Sequence, residues 1–219
     1  MNYRQLVFVV LLLIMTGCKR QRSEPTSSFP LGSVRINEIG IPEDSNVVYF
    51  PISKIENDSL FATKLSKAMH NYSEPMLSAK YLGHDICRLT HWHSLCSPTV
   101  ITVYKMDGYV EVTKKYGARD SKWLQYKLGG EEKYRWGLSS WDTLATLIKV
   151  ARIAGRRPFL SEWETDYALE LHEKSGYSVI WRSSPSSKEH PEMANVFIRI
   201  FKLAGMYMVG ITPVEYYFD

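Results

Sequence analysis

Residues 99–116 read TVITVYKMDGYVEVTKKY, and no other segment constrains the architecture as tightly. Two runs rich in β-branched and aromatic residues flank Asp107-Gly108, a dipeptide suited to the positive φ angles of a type I′ hairpin turn. A two-residue turn there sets Val103 opposite Val112, Tyr104 opposite Glu111 and Ile101 opposite Lys114. Ile101, Val103, Val110 and Val112 then share one face, while Thr102, Tyr104, Glu111 and Thr113 share the other. That alternation predicts an antiparallel sheet with one buried and one wet side.

Outward from this hairpin, Cys87 to Trp92 reads as the preceding strand. A helix is expected from Ser59 to His70, capped by Asp58 or Ser59. Its apolar residues Phe61, Leu65, Ala68 and Met69 fall on one helical face, and Glu74-Pro75 stops it. Short strand-like pieces, Val47 to Ile52, precede it. A second helix is expected over Trp141 to Ala154, with Ser139 and Asp142 as a capping pair. Its stripe is Trp141, Leu144, Leu147, Ile148 and Ala151. Gly155 supplies its exit, with Arg152, Arg156 and Arg157 near the negative dipole end.

A second hairpin spans Tyr167 to Ser183. A three-residue loop, Lys174-Ser175-Gly176, places Leu169, Leu171, Tyr177, Val179 and Trp181 together inside and is preferred because it buries the tryptophan. A third helix covers about Pro191 to Ala204, with Val196, Phe197, Ile200 and Leu203 inward and Gly205 at its exit. The tail through Tyr216-Tyr217-Phe218 is a candidate last strand. The expected fold class is therefore α+β, an antiparallel sheet built from hairpins with about three helices packed on one face.

The chain has 219 residues, 45% of them hydrophobic and 23% charged, a composition that excludes wholesale disorder and coiled coil. Its net charge is +4. No stretch concentrates that charge into a nucleic-acid stripe, and no nucleic-acid partner is expected.

The N-terminus carries an address. Arg4 precedes an unbroken apolar run from Leu6 to Met15, followed by Thr16, Gly17 and Cys18. A basic head, a short apolar core and small residues before a cut form a secretory signal. Ten apolar residues fall short of the about 20 needed to span a bilayer as a helix. The tetrad Met15-Thr16-Gly17-Cys18 resembles the lipobox of bacterial lipoproteins. That resemblance implies lipidation of Cys18, cleavage after Gly17 and acylation of the new amine. Residues 1–17 are then a signal peptide, 18–33 a lipidated cysteine with a flexible polar tether, and 34–219 a single α+β domain. The first implied partner is the lipid bilayer, through acylated Cys18. Lys19 after the cysteine resembles the outer-membrane sorting pattern of enteric bacteria, which implies the periplasmic face of the outer membrane.

Chemistry-bearing residues cluster once, at His84, Cys87, His91, His93 and Cys96. Cys87, His91 and His93 share strand parity, and the set contains enough ligands for a tetrahedral zinc site. The spacing matches no familiar zinc motif. The alternatives are a disulfide between Cys87 and Cys96, suited to an exported domain, or two buried thiols beside half-exposed histidines. No Gly-x-Ser-x-Gly elbow, His-Glu-x-x-His motif or phosphate-binding glycine loop occurs. Glu162, Glu164 and Asp166 alternate as on a solvated strand edge. No catalytic residue and no cofactor is expected.

Arg88-Leu-Thr90 before Pro98, Trp163 to Glu170, Gly176-Tyr177 and Trp181-Arg182-Ser-Ser-Pro185 resemble a group of uncharacterised bacterial proteins. These pair a Tyr-Arg-x-Thr strand with a later aromatic hairpin ending in Ser-Pro. The likeness covers about 84–205, with Cys87 replacing the usual aromatic, and implies no activity. The leading expectation is a membrane-anchored envelope lipoprotein that binds an unidentified envelope protein, in a non-enzymatic accessory or immunity-like role. The alternative is a metal-binding or hydrolytic lipoprotein using the 84–96 cluster.

Overall fold

The computed structural model describes residues 34–50, 59–93, 98–118, 127–154, 165–183, 191–206, 208–209 and 212–213. The signal segment and tether, the Tyr216-to-Phe218 tail, Gly155 and Arg156-Arg157 lie outside these.

Strands β2 (Thr99–Lys105) and β3 (Tyr109–Gly117) form the hairpin in the expected register, with Val103 opposite Val112 and Tyr104 opposite Glu111. The turn type differs. Gly108 has φ +86°, but Asp107 is not in the positive-φ region. A negative then a positive φ is the sign pattern of a type II turn, not type I′.

Strand β1 (Ile86–His93) pairs with β2 on one side and with β5 (Thr165–Glu173) on the other. Strand β4 (Leu128–Gly137) adds outside β3, and β6 (Gly176–Ser183) outside β5. The result is a six-stranded antiparallel sheet in the order β4-β3-β2-β1-β5-β6. A two-stranded ribbon, β7 (Met208–Val209) with β8 (Thr212–Pro213), follows. The three helices are α1 (Ser59–Asn71), α2 (Ser139–Ala154) and α3 (Pro191–Leu203). The architecture is α+β, as the sequence predicts.

The distribution of the helices corrects the sequence reading. Successive strand residues point to opposite faces. Ile101, Val103, Val112 and Leu169 pack with Trp141, Leu144 and Ile148 of α2 and with Val196, Phe197 and Ile200 of α3. Val100 and Ala168, on the other face, pack with Leu65 and Met69 of α1, Tyr72, and Tyr49 and Phe50 from the irregular segment before it. Two helices cover one side and the third covers the other. The face expected to be wet holds Thr102 and Thr113, yet both are buried. Polarity there reflects buried hydrogen bonding rather than solvent.

The second hairpin follows from the same fact. Glu173 pairs with Gly176 and Leu169 with Ile180, so the loop is Lys174-Ser175 rather than three residues. Leu169, Leu171 and Ile180 enter the α2/α3 core, whereas Val179 packs on the α1 side. Gathering apolar residues onto one face presupposes a wet opposite face, and here both are covered. The Trp181 side chain lies outside the described residues.

Helix ends explain how the layers reach the sheet. At the close of α1, Ser73 N–H bonds the His70 carbonyl at 3.0 Å and Glu74 N–H bonds that of Met69 at 2.9 Å. This is a Schellman closure, completed by Ser73 at φ 54° instead of the usual glycine. It turns Glu74 back over the sheet. Helix α3 closes the same way, with Gly205 at φ 70° and Met206 N–H on the Phe201 carbonyl. No strand forms over Val47–Phe50; that stretch is held by Tyr49 N–H on Ser66 Oγ at 2.9 Å and Ser78 Oγ–H on the Tyr49 carbonyl at 2.8 Å.

Candidate functional site

The densest gathering of ionisable groups lies under α1, at the middle of the sheet. Cross-strand pairing sets Thr102 beside Arg88 and Arg88 beside Glu170. All three side chains point to the α1 side, and Glu74 descends onto them from the Schellman turn. Arg88 and Glu170 are wholly buried, and Glu74 is 1% exposed.

Each charge is engaged. Arg88 Nε donates to Glu170 Oε2 at 2.6 Å, and Nη1 donates to the Pro75 carbonyl at 2.7 Å and to Glu74 Oε2 at 3.4 Å. Nη2 stands 2.6 Å from Glu170 Oε2 but is angled so that it makes no hydrogen bond among the described residues. Glu170 Oε1 accepts from the Tyr177 hydroxyl at 2.9 Å. Glu74 accepts from Thr102 Oγ1 at 3.2 Å and pairs with Lys115 Nζ at 2.9 Å. Lys115 also donates to the Tyr72 carbonyl at 2.8 Å, and Tyr49 hydroxyl to that of Glu74 at 3.0 Å. Two cations face two carboxylates, so the cluster is neutral as a unit.

The electrostatics follow from that geometry. Burial works against the charge on Arg88, yet Glu170, by charge and hydrogen bond, with Glu74 behind it, outweighs burial and holds the guanidinium above its usual range. Burial first, then the neighbouring Glu170, pushes the Tyr177 phenol well up. Burial does the same to Tyr49. Both phenols stay protonated donors. Removing each ion from water costs several kcal/mol, recovered only where its geometry is good and further hydrogen bonds engage the remaining groups; among the described residues Arg88 Nη2 is the guanidinium nitrogen left without one. This arrangement clamps the α1 layer to the sheet; its groups act on one another.

The predicted cluster at 84–96 does not converge among the described residues. Cys87 and His91 do face the same side, as parity requires, and both are buried in the α2/α3 core. His91 stands 4.8 Å from the Tyr167 ring and edge-on to Phe201 at 5.8 Å. Four residue steps separate Cys87 from His91, roughly 13 Å at about 3.3 Å per residue. Zinc draws its ligands within about 2.0–2.3 Å. His84 lies against Tyr104, whose strand parity puts it on the opposite face. Among the described residues no three His, Cys, Asp or Glu side chains form a metal-holding group. Cys18, Cys96, the His93 side chain, Glu162 and Glu164 lie outside the described residues, and so does a Cys87–Cys96 pairing.

Sequence reading did not single out Glu74, which it treated as part of a helix stop. Arg88 and Glu170 appear only among the residues that carry the resemblance to uncharacterised bacterial proteins, and Tyr177 both there and among the residues expected inside the second hairpin. The structure brings those three together. The available signal was Arg88 within β1 and Glu170 between Leu169 and Leu171 of β5. Neither a protein-family model nor a curated protein matches the chain.

Replacing Arg88 by Met leaves two buried carboxylates short of a cation. Urea denaturation should show a loss of about 3–5 kcal/mol, the usual cost of breaking a buried pair from one side; a loss below about 1 kcal/mol would contradict the clamp. His172, buried edge-on to Tyr81 and Tyr177, gives a pH test. Burial lowers its pKa, against smaller opposing effects from the Leu77 backbone, Glu170 and Asp85. The unfolded chain then binds the proton more readily. Stability should be whole above about pH 6.5 and decline as pH falls through the histidine range. His172→Gln should flatten that part of the unfolding profile, and an unchanged slope would assign it elsewhere.

Proposed function

We propose that this chain is a lipid-anchored protein of the bacterial envelope whose α+β domain binds a protein partner, in an accessory or immunity-like role. The observation that carries the reading is the tetrad Met15-Thr16-Gly17-Cys18 at the end of a short apolar run with Arg4 before it. One acyl chain binds a membrane reversibly, and two or more anchor stably. Lys19, Arg20 and Arg22 beside the lipid favour an anionic headgroup layer, by about 1 kcal/mol each. The polar stretch to Ser33 reaches at most roughly 50 Å when extended, enough to let the domain work beside the bilayer.

Two further observations support binding rather than chemistry. The most concentrated ionisable groups, Arg88, Glu74, Glu170 and Lys115, are engaged with each other beneath α1. By contrast, Tyr116, Leu128, Trp136, Leu138 and Val150 are large apolar side chains left substantially exposed. Among the described residues no helix is long and apolar enough to cross a membrane, so the reading assigns attachment to Cys18. The location consistent with Lys19 is the periplasmic face of the outer membrane.

Fractionation of cells producing the full chain tests the anchor. The wild-type chain should sediment with membranes, begin at Cys18 and carry the mass of the acyl groups, and Cys18→Ala should carry no acyl mass and keep residues 1–17. Equal mass and equal partitioning of the two would overturn the reading. In-cell crosslinking of the lipidated form should then recover the same envelope protein repeatedly.

A further inference from the structure

Strand β4 is an edge, and its free side is unusually regular. Natural edges are blunted by shortness, proline, bulges or charged side chains. Charges stand on β4 at Glu131, Glu132, Lys133 and Arg135, with one bulge at its start, so a partner strand must answer those charges. β4 runs ten residues, Leu128–Gly137, without proline. Its ladder to β3 shifts register only beside Gly129, where Tyr116 pairs with Gly130 and Gly117 with Leu128. From Gly130 to Gly137 the edge is straight.

Which backbone groups it offers follows from the hairpin. Met106 N–H bonds the Tyr109 carbonyl, so the odd-numbered residues of β3 bond to β2 and the even-numbered ones to β4. Val112, Lys114 and Tyr116 pair with Tyr134, Glu132 and Gly130. Glu131, Lys133 and Arg135 therefore turn their N–H and C=O groups outward. Among the described residues no strand takes them up.

We propose that this edge pairs with the same edge of a second copy of the chain, antiparallel, about a two-fold axis at Lys133. Only outward-facing residues can meet in hydrogen-bonded pairs, which limits the register to odd against odd. The axis at Lys133 overlaps the whole straight segment between Gly130 and Trp136. It sets Glu131 opposite Arg135 of the other copy, twice, on one face. An axis one step further along would set Lys133 against Arg135, like charges. One step back would set Glu131 against Lys133, also opposite charges, but would put Glu132 against its own copy and run the pairing into the irregular step at Gly129. Opposite charges facing across strands stabilise a sheet, and like charges oppose it. Lys133 meets its own copy on the axis, with Glu131 of its own chain 3.1 Å away and so shared between Lys133 and Arg135 of the other copy. Lys133 and Arg135 keep 62% and 72% of their side-chain surface exposed, so their charges are available to a partner. The partner surface is the same surface, as closed two-fold symmetry requires. The dimer would carry one continuous sheet through both copies, independently of how the chain is anchored.

Cysteine substitutions in the full-length chain test the register. Hydrogen-bonded antiparallel pairs place Cα atoms about 5.5 Å apart, within the disulfide range. Lys133→Cys should crosslink to itself under air and a copper catalyst, well above the wild-type background. Glu131→Cys and Arg135→Cys should crosslink mainly when the two variants are mixed. Lys133→Pro removes one outward donor and none from the β3 ladder. By sedimentation it should weaken dimerisation at least ~10-fold with an unchanged circular dichroism spectrum, one lost pairing being a tenfold effect or more. A wild-type chain that sediments as a monomer at every concentration, or a Lys133→Cys chain that crosslinks no more than wild type, would overturn the proposal. Dimerisation undiminished by Lys133→Pro would do so too.

Discussion

A guanidinium sits at the centre of a six-stranded sheet with a carboxylate beside it on the next strand and another lowered onto it from a helix end. Arg88, Glu170 and Glu74 are each at most 1% exposed. The rest of the fold depends on their agreement. Without Glu74 overhead, Arg88 would hold one buried counter-ion, and without Arg88 the two carboxylates would share Lys115 as their one cation, leaving Glu170 with no charge partner in a buried site. The Schellman turn after α1, with Ser73 in a left-handed conformation, delivers that second carboxylate. A local backbone motif thus decides whether a long-range ion network closes.

The two faces of the sheet are held by different physics. On one, α2 and α3 bury Trp141, Leu144, Val196 and Phe197 against valine, isoleucine and leucine of the strands, a contact that tolerates small shifts. On the other, α1 and the segment before it combine a smaller apolar cluster with directional bonds from Tyr49, Thr102, Lys115 and Tyr177. Hydrogen bonds to charged groups have narrow geometry, so this side is positioned rather than merely attached. The proposed binding role would gain from such rigidity, because a surface that is already ordered loses less entropy on meeting a partner.

Much of the local structure was legible in the sequence. Asp107-Gly108 sets the register of β2 and β3, and Leu65, Ala68 and Met69 of α1 and the apolar stripes of α2 and α3 fall where periodicity puts them. Longer-range features were not. Strand β4 escaped notice because LGGEEKYRWG contains glycines and exposed charges instead of an alternating apolar face. The side assigned to α1 was wrong because Thr102 and Thr113 read as solvent-facing. A threonine in a sequence does not declare whether its hydroxyl meets water or Glu74. The Lys174-Ser175 loop was misjudged for the same reason, since Tyr177 is drawn to Glu170 rather than to the apolar core. The 84–96 residues are close in the chain, but an extended strand separates what sequence proximity suggests.

Amide hydrogen exchange on wild type and Arg88→Met reads the clamp most directly. If the buried ions hold the α1 layer to the sheet, the substitution should strip protection from amides of Ser59–Asn71 and from Glu74 while α2 and α3 keep most of theirs. Protection lost evenly across all three helices, or lost first from α2 and α3, would contradict that account.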